Sequence, residues 1–284
     1  MRQIYINGEY VPENEAKISV FDRGFLFADA VYEVTFVMQG KLVGFAPHIE
    51  RLRRSLRELE IDLSLSNEEI LDIHRTLVKT DGLSEGLVYI QVTRGTAERD
   101  FLYPRDKMTA GVVMFTQQKS LIDNPLAKRG MDVLSYPDLR WGRRDIKTVQ
   151  LTYSSMIKND AVVRGAHDAW MHQDGVVTEG TSNNAYIVTA DDQIVTRDLS
   201  NSILHGITRQ AVLECADELG YAVSERPFTL EEVKNANEAF STSASGIVTP
   251  VVALDGHTIG TGTPGPMTLK LREAYLENSL AEAI

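Results

Sequence analysis

The sequence predicts an α+β fold with two domains of unequal size. Its 284 residues exceed the length of one ordinary domain. Short strand signals alternate with a few helical segments along the whole chain. We expect a small mixed α/β domain in residues 1–117, a linker in 118–130, and a larger domain in 131–284 with flanking helices around a curved or pseudo-barrel sheet.

The smaller domain is predicted to have the order β-β-α-α-β-β. Alternating apolar residues around the Asn7-Gly8 turn predict a hairpin and the start of a meander. A leucine stripe over residues 48–60 predicts a helix that docks by its apolar face. Ser66 and Glu69 form a capping box that predicts the start of a second helix, and strand character then returns.

The larger domain is predicted to contain many short strands and a few helices. Helical spacing covers residues 151–165 and 206–220, and a hairpin is expected around Gln173-Asp174-Gly175. Pro264 to Ile284 is predicted to form an amphipathic helix.

Composition and charge exclude several classes of function. With 29 basic and 40 acidic residues the net charge is -11, which repels nucleic acid and anionic membranes. No apolar run approaches the length of a bilayer span and the start does not resemble a signal peptide, so we expect a cytoplasmic protein. The single cysteine, Cys215, makes an internal disulfide impossible and zinc or redox chemistry unexpected.

Three features spaced along the chain point to one kind of cofactor chemistry. Lys147 follows Arg143-Arg144-Asp145, and a cationic neighbourhood favours the neutral amine that a Schiff base requires. Glu179 lies in a turn 32 residues later, where a carboxylate can hold a pyridine nitrogen protonated. Gly206-Ile207-Thr208 opens a helix whose free N–H groups can bind a phosphate. An amine, an acid and a phosphate site together indicate pyridoxal phosphate.

Each feature also has a simpler explanation, namely a solvated lysine, a loop carboxylate and an ordinary helix N-cap. Arg99 is a candidate for a substrate carboxylate, because a guanidinium binds a carboxylate through two hydrogen bonds. Other candidate donors surround the cofactor in this hypothesis: Thr181, Ser182 and Asn183 beside Glu179, and Arg51, Ser243 and Ala244 near the phosphate.

The chain resembles the class IV pyridoxal-phosphate aminotransferases of fold type IV, and within them the D-amino acid (D-alanine) aminotransferases. The similarity runs essentially from end to end. Its strongest pieces are ordered motifs along the chain: Asp22-Arg23-Gly24, Val31-Tyr32-Glu33-Val34, His48-Ile49-Glu50-Arg51-Leu52, Val92-Thr93-Arg94-Gly95-Thr96, Asp145-Ile146-Lys147, Thr178-Glu179-Gly180 and Gly206-Ile207-Thr208-Arg209.

The resemblance implies a role for each matching residue. Lys147 would form the Schiff base and Glu179 would meet the pyridine nitrogen. Tyr32 would line the pocket and receive the substrate carboxylate together with Arg99, on a loop lent by the second subunit of a homodimer. The phosphate would be held by Arg51, Ile207, Thr208 and the Ala244 backbone.

One position departs from the family pattern and bears on substrate range. D-amino acid aminotransferases carry a histidine two residues after the carboxylate arginine, and this chain has Phe101, which cannot donate a hydrogen bond. The substrate carboxylate would then be held by fewer groups, or by others such as Arg143. Phe36 and Met38 also make the strand after Tyr32 more apolar.

These observations favour a ping-pong transaminase that takes the amino group of a D-amino acid such as D-alanine and gives it to a 2-oxo acid such as 2-oxoglutarate. A branched-chain L-amino acid or (R)-amine transaminase shares the same cofactor residues. An aminodeoxychorismate lyase is disfavoured, because those enzymes have a threonine where this chain has Val34. A non-catalytic binding protein is a further alternative.

Overall fold

The computed structural model describes residues 2–103 and 108–284, which form two compact units. The first unit contains Met1–Ser120, Ile146–Gln150 and Glu282–Ile284, and the second contains Leu121–Asp145 and Leu151–Ala281. The domain boundaries given above, with their linker in 118–130, stay a prediction.

The first unit is built on a six-stranded antiparallel sheet with the strand order β2-β1-β6-β5-β3-β4. Its elements follow in chain order: β1 (Gln3–Ile6), β2 (Glu9–Pro12), α1 (Arg23–Phe27), β3 (Ala30–Met38), β4 (Lys41–Val43), α2 (Phe45–Glu58), α3 (Asn67–Thr80), β5 (Glu85–Thr93) and β6 (Gly111–Gln118).

Local sequence signals account for most of these elements. Asn7 and Gly8 both have positive φ angles, 48° and 103°, as a two-residue hairpin turn requires. The leucine stripe of α2 is buried in the core of the unit together with the apolar side chains of α3. The capping box of Ser66 and Glu69 is present at the start of α3. The predicted hairpin, docking helix and cap are therefore confirmed.

The second unit is built on a nine-stranded sheet that curls into a half-barrel, as the fold class predicted. Eight strands follow the order β12-β11-β10-β13-β14-β7-β8-β9, and β15 pairs with β14. The elements follow in chain order: α4 (Pro125–Arg129), β7 (Met131–Pro137), α5 (Thr152–Val163), β8 (Asp168–Gln173), β9 (Val176–Gly180), β10 (Asn184–Val188), β11 (Ile194–Thr196), α6 (Ile207–Glu218), β12 (Val223–Glu225), α7 (Leu230–Lys234), β13 (Glu238–Ser243), β14 (Ile247–Leu254), β15 (His257–Thr258) and α8 (Pro266–Glu282).

Two segments show features that the sequence did not predict. Residues 118–130, predicted as a linker, contain α4 and the fully buried Leu121. The last helix, α8, was predicted to be amphipathic, but its buried face is mostly polar and consists of Thr268, Leu271, Arg272, Tyr275 and Ser279. Among the helices of residues 2–103 and 108–284, none has the length and apolar content needed to cross a membrane.

Candidate active site

The backbone of Lys147 is fixed against β3 in the first unit. The Tyr32 N–H donates to the Lys147 carbonyl at 3.0 Å, and the Val149 N–H donates to the Ala30 carbonyl at 3.2 Å. Ile146 is buried in the core of the same unit. The segment that carries the lysine is therefore held by a short antiparallel pairing and by an apolar anchor.

The side chain of Lys147 is half-buried and lies over an aromatic ring. Its Nζ is 4.3 Å from the centroid of the Tyr32 ring. Tyr32 stacks on Tyr89 with ring centroids 5.5 Å apart, and Tyr89 stacks on Phe115 at 4.9 Å. Within the described residues the ammonium has no carboxylate partner, and an amine without an ion pair is available for reaction with an aldehyde.

On the opposite face of β3, the buried carboxylate of Glu33 pairs with Arg51 of α2. Arg51 was predicted to bind phosphate, and in the structure its Nε donates to Glu33 Oε1 at 2.7 Å and its Nη2 to Glu33 Oε2 at 2.8 Å. The Nδ1 atom of His48 lies 2.8 Å from the same Oε2. Burial alone would raise the pKa of Glu33, but the charge and hydrogen bonds of Arg51 outweigh it and hold that pKa well below its usual range.

No role was predicted for Glu33 and His48, although both lie in motifs that resemble the family. Two signals could have identified them. Glu33 is the one acidic residue within the otherwise apolar or uncharged strand Ala30–Met38, and His48 lies one helical turn before Arg51. A buried carboxylate requires a charged partner, and a histidine and an arginine three residues apart share one helix face.

Glu179 lies near the end of β9 in the second unit and is held by three donors. Its Oε1 accepts a hydrogen bond from Arg140 Nη1 at 2.6 Å. Its Oε2 accepts from the Leu204 N–H at 2.9 Å and from Asn184 Nδ2 at 3.2 Å. These contacts fix both oxygens of a buried carboxylate, as an acid that must face one atom of a cofactor requires.

Arg140, which the sequence analysis missed, connects Glu179 to a second buried acid, Asp138. Its Nε and Nη2 atoms donate to the two oxygens of Asp138 at 2.9 and 2.7 Å. Burial alone would raise the pKa of Asp138, but the hydrogen bond and charge of Arg140 outweigh it and lower that pKa. Thr178, next to Glu179, also donates to Asp138 at 2.7 Å. No local pattern marks Arg140, because its partner Glu179 is 39 residues away.

The three residues that follow Gly180 make different contacts from those expected. The Thr181 hydroxyl and Asn183 Nδ2 donate to the buried carboxylate of Asp168 at 2.5 and 2.9 Å. Ser182 is exposed. The amide that reaches Glu179 belongs to Asn184, one residue beyond the predicted group, so the roles of Thr181, Ser182 and Asn183 in cofactor binding stay a prediction.

Two elements of the second unit present free donors suited to an anion. Helix α6 begins at Ile207 with Gly206 as its N-cap, which has no side chain to bind the first N–H groups. The loop after Ser243 leaves the N–H groups of Ala244 and Ser245 without hydrogen-bond partners in the part of the chain that the structure describes. The Ser243 hydroxyl accepts from the Gly246 N–H at 2.9 Å and keeps its own proton to donate.

The acid and the start of α6 are linked through one side chain. Asn184 Nδ2 contacts both Glu179 and the Leu204 carbonyl, at 3.2 and 2.9 Å. A methyl group added at Gly206 would lie 2.1 Å from Asn184 Oδ1. The structure thus brings the predicted acid and one predicted phosphate element together, and Gly206 is required for their close approach.

The remaining substrate candidates lie in two separate places. Arg99 lies with its guanidinium 5.5 Å from the centroid of the Phe27 ring, and Phe101 contacts that ring at 5.7 Å. Arg143 donates through Nε and Nη2 to the buried carboxylate of Asp145, at 3.0 Å each. Their contacts with a substrate stay a prediction.

The chemical groups that these residues offer fit pyridoxal phosphate. The first unit offers an amine that has no carboxylate partner among the described residues. The second unit offers an oriented carboxylate and backbone N–H groups that lack partners within the described chain. These are the groups that an aldehyde, a pyridine nitrogen and a phosphate would each bind.

Comparison with known proteins identifies a family whose members are aminotransferases. A model of the amino-transferase class IV family matches residues 30–254. The D-alanine aminotransferase of Staphylococcus aureus (strain N315) is 39% identical over 277 residues, which is 97% of each chain. The D-alanine aminotransferase of Bacillus licheniformis is 39% identical over 282 residues, covering 99% of this chain and 98% of that protein.

Solved structures of branched-chain amino acid aminotransferases have a similar fold. The T.th. enzyme with pyridoxamine 5'-phosphate superposes with a TM-score of 0.89 at 27% identity, covering 99% of this chain and 94% of that one. The Escherichia coli enzyme gives a TM-score of 0.91 at 22% identity, covering 100% and 96% of the two chains, which shows a shared fold.

Proposed function

Because this chain belongs to the class IV aminotransferases, we propose that it moves an amino group from a D-amino acid such as D-alanine to a 2-oxo acid such as 2-oxoglutarate in a ping-pong reaction. The chain is a pyridoxal-phosphate-dependent enzyme. One observation carries the proposal: the amine of Lys147 lies over Tyr32 without a carboxylate partner among the described residues.

Each residue of the cofactor set has a separate task. Pyridoxal phosphate, when bound, supplies an aldehyde that condenses with amines and a ring that accepts electron density. The Nζ atom of Lys147 would hold that aldehyde in the resting enzyme and, as a free amine, would move the proton that leaves the substrate α-carbon. Glu179 orients the pyridine nitrogen and favours its protonated form.

The phosphate is proposed to bind where the chain offers unpaired donors. The backbone N–H groups of Ile207, Thr208 and Ala244 and the hydroxyl of Ser243 are suited to its oxygens. Arg51, whose guanidinium binds Glu33 in the structure, is proposed to add a cation.

We propose that Tyr32 and Arg99 receive the substrate carboxylate, with Arg143 as a further cation. Phe101 faces the substrate without a hydrogen-bond donor, so this enzyme holds the carboxylate with fewer groups than one with histidine at that position. The partners are small amino acids and 2-oxo acids. A homodimer with Arg99 contributed by the second subunit, and a cytoplasmic location, are part of the same proposal.

An absorbance and activity experiment tests the function. Purified protein is supplied with pyridoxal phosphate and mixed separately with D-alanine, L-leucine or (R)-1-phenylethylamine, each with 2-oxoglutarate. We expect D-alanine to change the cofactor spectrum and to give pyruvate and glutamate, whereas Lys147→Ala gives neither product. Turnover of L-leucine without turnover of D-alanine would contradict the proposed D-amino acid substrate but not the proposed transamination.

The branched-chain alternative requires an apolar wall for the substrate side chain. Its candidates are Phe36 and Met38, which follow Tyr32 on the same strand and are buried and apolar. Lyase activity is tested in a separate assay with aminodeoxychorismate and no 2-oxo acid acceptor, in which a lyase would still release pyruvate.

A further inference from the structure

The most unusual buried charge in the second unit is that of Arg272, on helix α8. Its side chain is 7% exposed. Its Nη1 donates to the carbonyls of Gly246 and Val248 at 3.2 and 2.7 Å, and its Nη2 to those of Leu121 and Ile122 at 3.0 and 2.9 Å. Within the described chain no carboxylate forms an ion pair with it.

Four carbonyl dipoles satisfy the N–H groups of Arg272 but do not cancel its net positive charge. Burial without a counter-charge lowers the pKa of its guanidinium. The buried Arg51 and Arg144 and the half-buried Arg140 each lie against a carboxylate. A buried cation without an acid is stabilised by an anion that binds nearby.

The carbonyls that Arg272 binds flank a strained residue. Ile247, between Gly246 and Val248, is fully buried and has a φ angle of +62°. A β-branched residue adopts this left-handed conformation only where its surroundings impose it. By bridging the two neighbouring carbonyls, Arg272 holds the bend that follows Ser243-Ala244-Ser245-Gly246. The shape of that loop therefore depends on α8.

The same helix also contacts the other phosphate element. Tyr275 lies three residues after Arg272 and is buried, and its hydroxyl faces the side chains of Thr208 and Ser279. Thr208 lies in the first turn of α6. Residues three apart share one face of a helix, so a single face of α8 supports both elements.

We propose that Arg272 is a positioning residue for the cofactor phosphate. It sets the conformation of the Ser243–Gly246 loop and provides the positive charge that a phosphate held by Ala244, Ser245 and Thr208 balances. The inference rests on the proposed function, because it takes that phosphate to be the anion. It also explains why the docking face of α8 is polar.

The test compares pyridoxal phosphate with pyridoxal, which lacks the phosphate, as ligands of the apoprotein. Dissociation constants for both are measured by fluorescence for the wild type, Arg272→Gln, Arg272→Lys and the control Lys270→Met. Lys270 is an exposed cation on the same helix, paired with Glu273. The quantity of interest is the ratio of the two dissociation constants, because loss of folded protein or of the lysine site affects both ligands alike.

We expect Arg272→Gln to lower the preference for pyridoxal phosphate about tenfold or more and to leave pyridoxal binding within roughly threefold of the wild type. Lys270→Met should keep the wild-type ratio. Inorganic phosphate should raise the melting temperature of the wild-type apoprotein and not that of Arg272→Gln.

Equal loss of both ligands in Arg272→Gln, or an unchanged ratio, would overturn the proposal and leave the aminotransferase function intact. If Arg272→Gln does not fold, Arg272→Lys decides the matter. It keeps the charge but cannot bridge the four carbonyls as a planar guanidinium does, so its ratio should fall several-fold below the wild type's, and an unchanged ratio overturns the positioning role. A wild type that binds neither aldehyde overturns both the inference and the proposed function.

Discussion

The buried carboxylates of Glu33, Asp138 and Glu179 each lie against a guanidinium, and the pairing decides which substitutions the chain tolerates. Glu33 is fully buried and bound by Arg51, and Glu179 is bound by Arg140. Removing one partner of such a pair leaves a buried charge without compensation, which costs more than the pair contributes. Single substitutions here are therefore expected to be more damaging than paired ones.

Arg140→Met tests this at Glu179. We expect a loss of about 3 kcal/mol in the free energy of unfolding, since Glu179 keeps only its two uncharged donors and Asp138 keeps only Arg144 as a cation. In a Glu179→Gln background the same substitution should cost clearly less. Urea denaturation of the wild type, the two single variants and the double variant gives the coupling energy between Arg140 and Glu179. Equal losses of stability in both backgrounds would show that Arg140 does not act through Glu179.

His74 makes stability depend on pH. It is fully buried on α3, its Nδ1 contacts the Ile70 carbonyl, and burial lowers its pKa from 6.5 to about 4. Between these values the unfolded chain binds a proton that the folded chain does not. The free energy of unfolding that depends on the neutral form of His74 is therefore fully present above pH 6.5. It decreases as the pH falls towards 4, by roughly 3 kcal/mol in total.

The measurement is urea denaturation at several pH values between about 7 and about 4. His74→Gln should flatten the decline, whereas His257→Gln, on the exposed strand β15, should leave it unchanged. Part of the slope should remain, because burial also lowers the pKa of His48. A slope identical in His74→Gln and wild type would contradict the assignment.

The candidate residues that could be named from the sequence lie in short local motifs, whereas those defined by pairing across the fold could not be named. Lys147, Glu179 and Gly206 each stand next to a recognisable turn or helix start. Arg140 and Asn184 have no such mark, because their contacts join different strands and loops. Pairing of that kind is set by strand order, which a single sequence does not specify.

At the scale of elements, hairpin turns, helix caps and the positions of the long helices α2, α3, α5, α6 and α8 followed from local sequence. The five-residue helices α1, α4 and α7 and the connectivity of the sheets did not. The Asn7-Gly8 and Asp174-Gly175 turns both have positive φ angles, as their residue types predicted. The parallel pairing of β7 with β14 joins residues more than 100 positions apart, and nothing in the local pattern of either strand indicates it. Loop closure over that distance depends on the whole fold.

The junction of α6 with β10 gives a prediction at this scale. In Gly206→Ala the new methyl group would lie 2.1 Å from Asn184 Oδ1, so Asn184 must move and release its hydrogen bond to Glu179. We expect weaker cofactor binding by about fivefold to tenfold, since one hydrogen bond to a charged group is lost.

The double variant Gly206→Ala, Asn184→Ala separates the clash from the helix. If the clash is the cause, the double variant should bind pyridoxal phosphate no more weakly than Asn184→Ala alone. Gly256→Ala in the β14–β15 turn, where a methyl group meets no atom within 4 Å, is the control for adding a side chain to glycine. A double variant weaker than both single variants would show that α6 itself is disturbed.

At the scale of the molecule, the first unit exposes large apolar side chains on α1 and on the loop that contacts it. Phe25, Phe101 and Leu102 are 67%, 81% and 83% exposed. Phe101 contacts Phe27 of α1, so these side chains belong to one region. Single chains rarely expose such a group, which favours the proposed homodimer.

A light-scattering measurement tests the dimer. The wild type should have twice the 31.6 kDa mass of one chain. The paired substitution Phe101→Asp, Leu102→Asp should shift it towards the mass of one chain, and Thr261→Asp, on an exposed turn of the second unit, should not. A wild type that stays at the mass of one chain would remove the homodimer from the proposal.

Mixing two inactive variants tests whether Arg99 serves the partner's lysine. Lys147→Ala and Arg99→Ala chains are denatured together, refolded and assayed. If the two residues of one site come from different subunits, half of the dimers are mixed and each has one intact site, so roughly a quarter of the wild-type activity should return. Mixed dimers without any recovery would place both residues in the same chain.

The first unit is assembled from three stretches of sequence, and this has a consequence for biosynthesis. Ile146–Gln150, which carries Lys147, joins it only after residues 121–145 have been made, and Glu282–Ile284 joins it last. Leu42 and Ile284 exchange two backbone hydrogen bonds, at 2.8 and 3.1 Å. A nascent chain that contains residues 1–120 but lacks the later segments therefore has an incomplete sheet edge, and it cannot close that edge before residue 284 has been made.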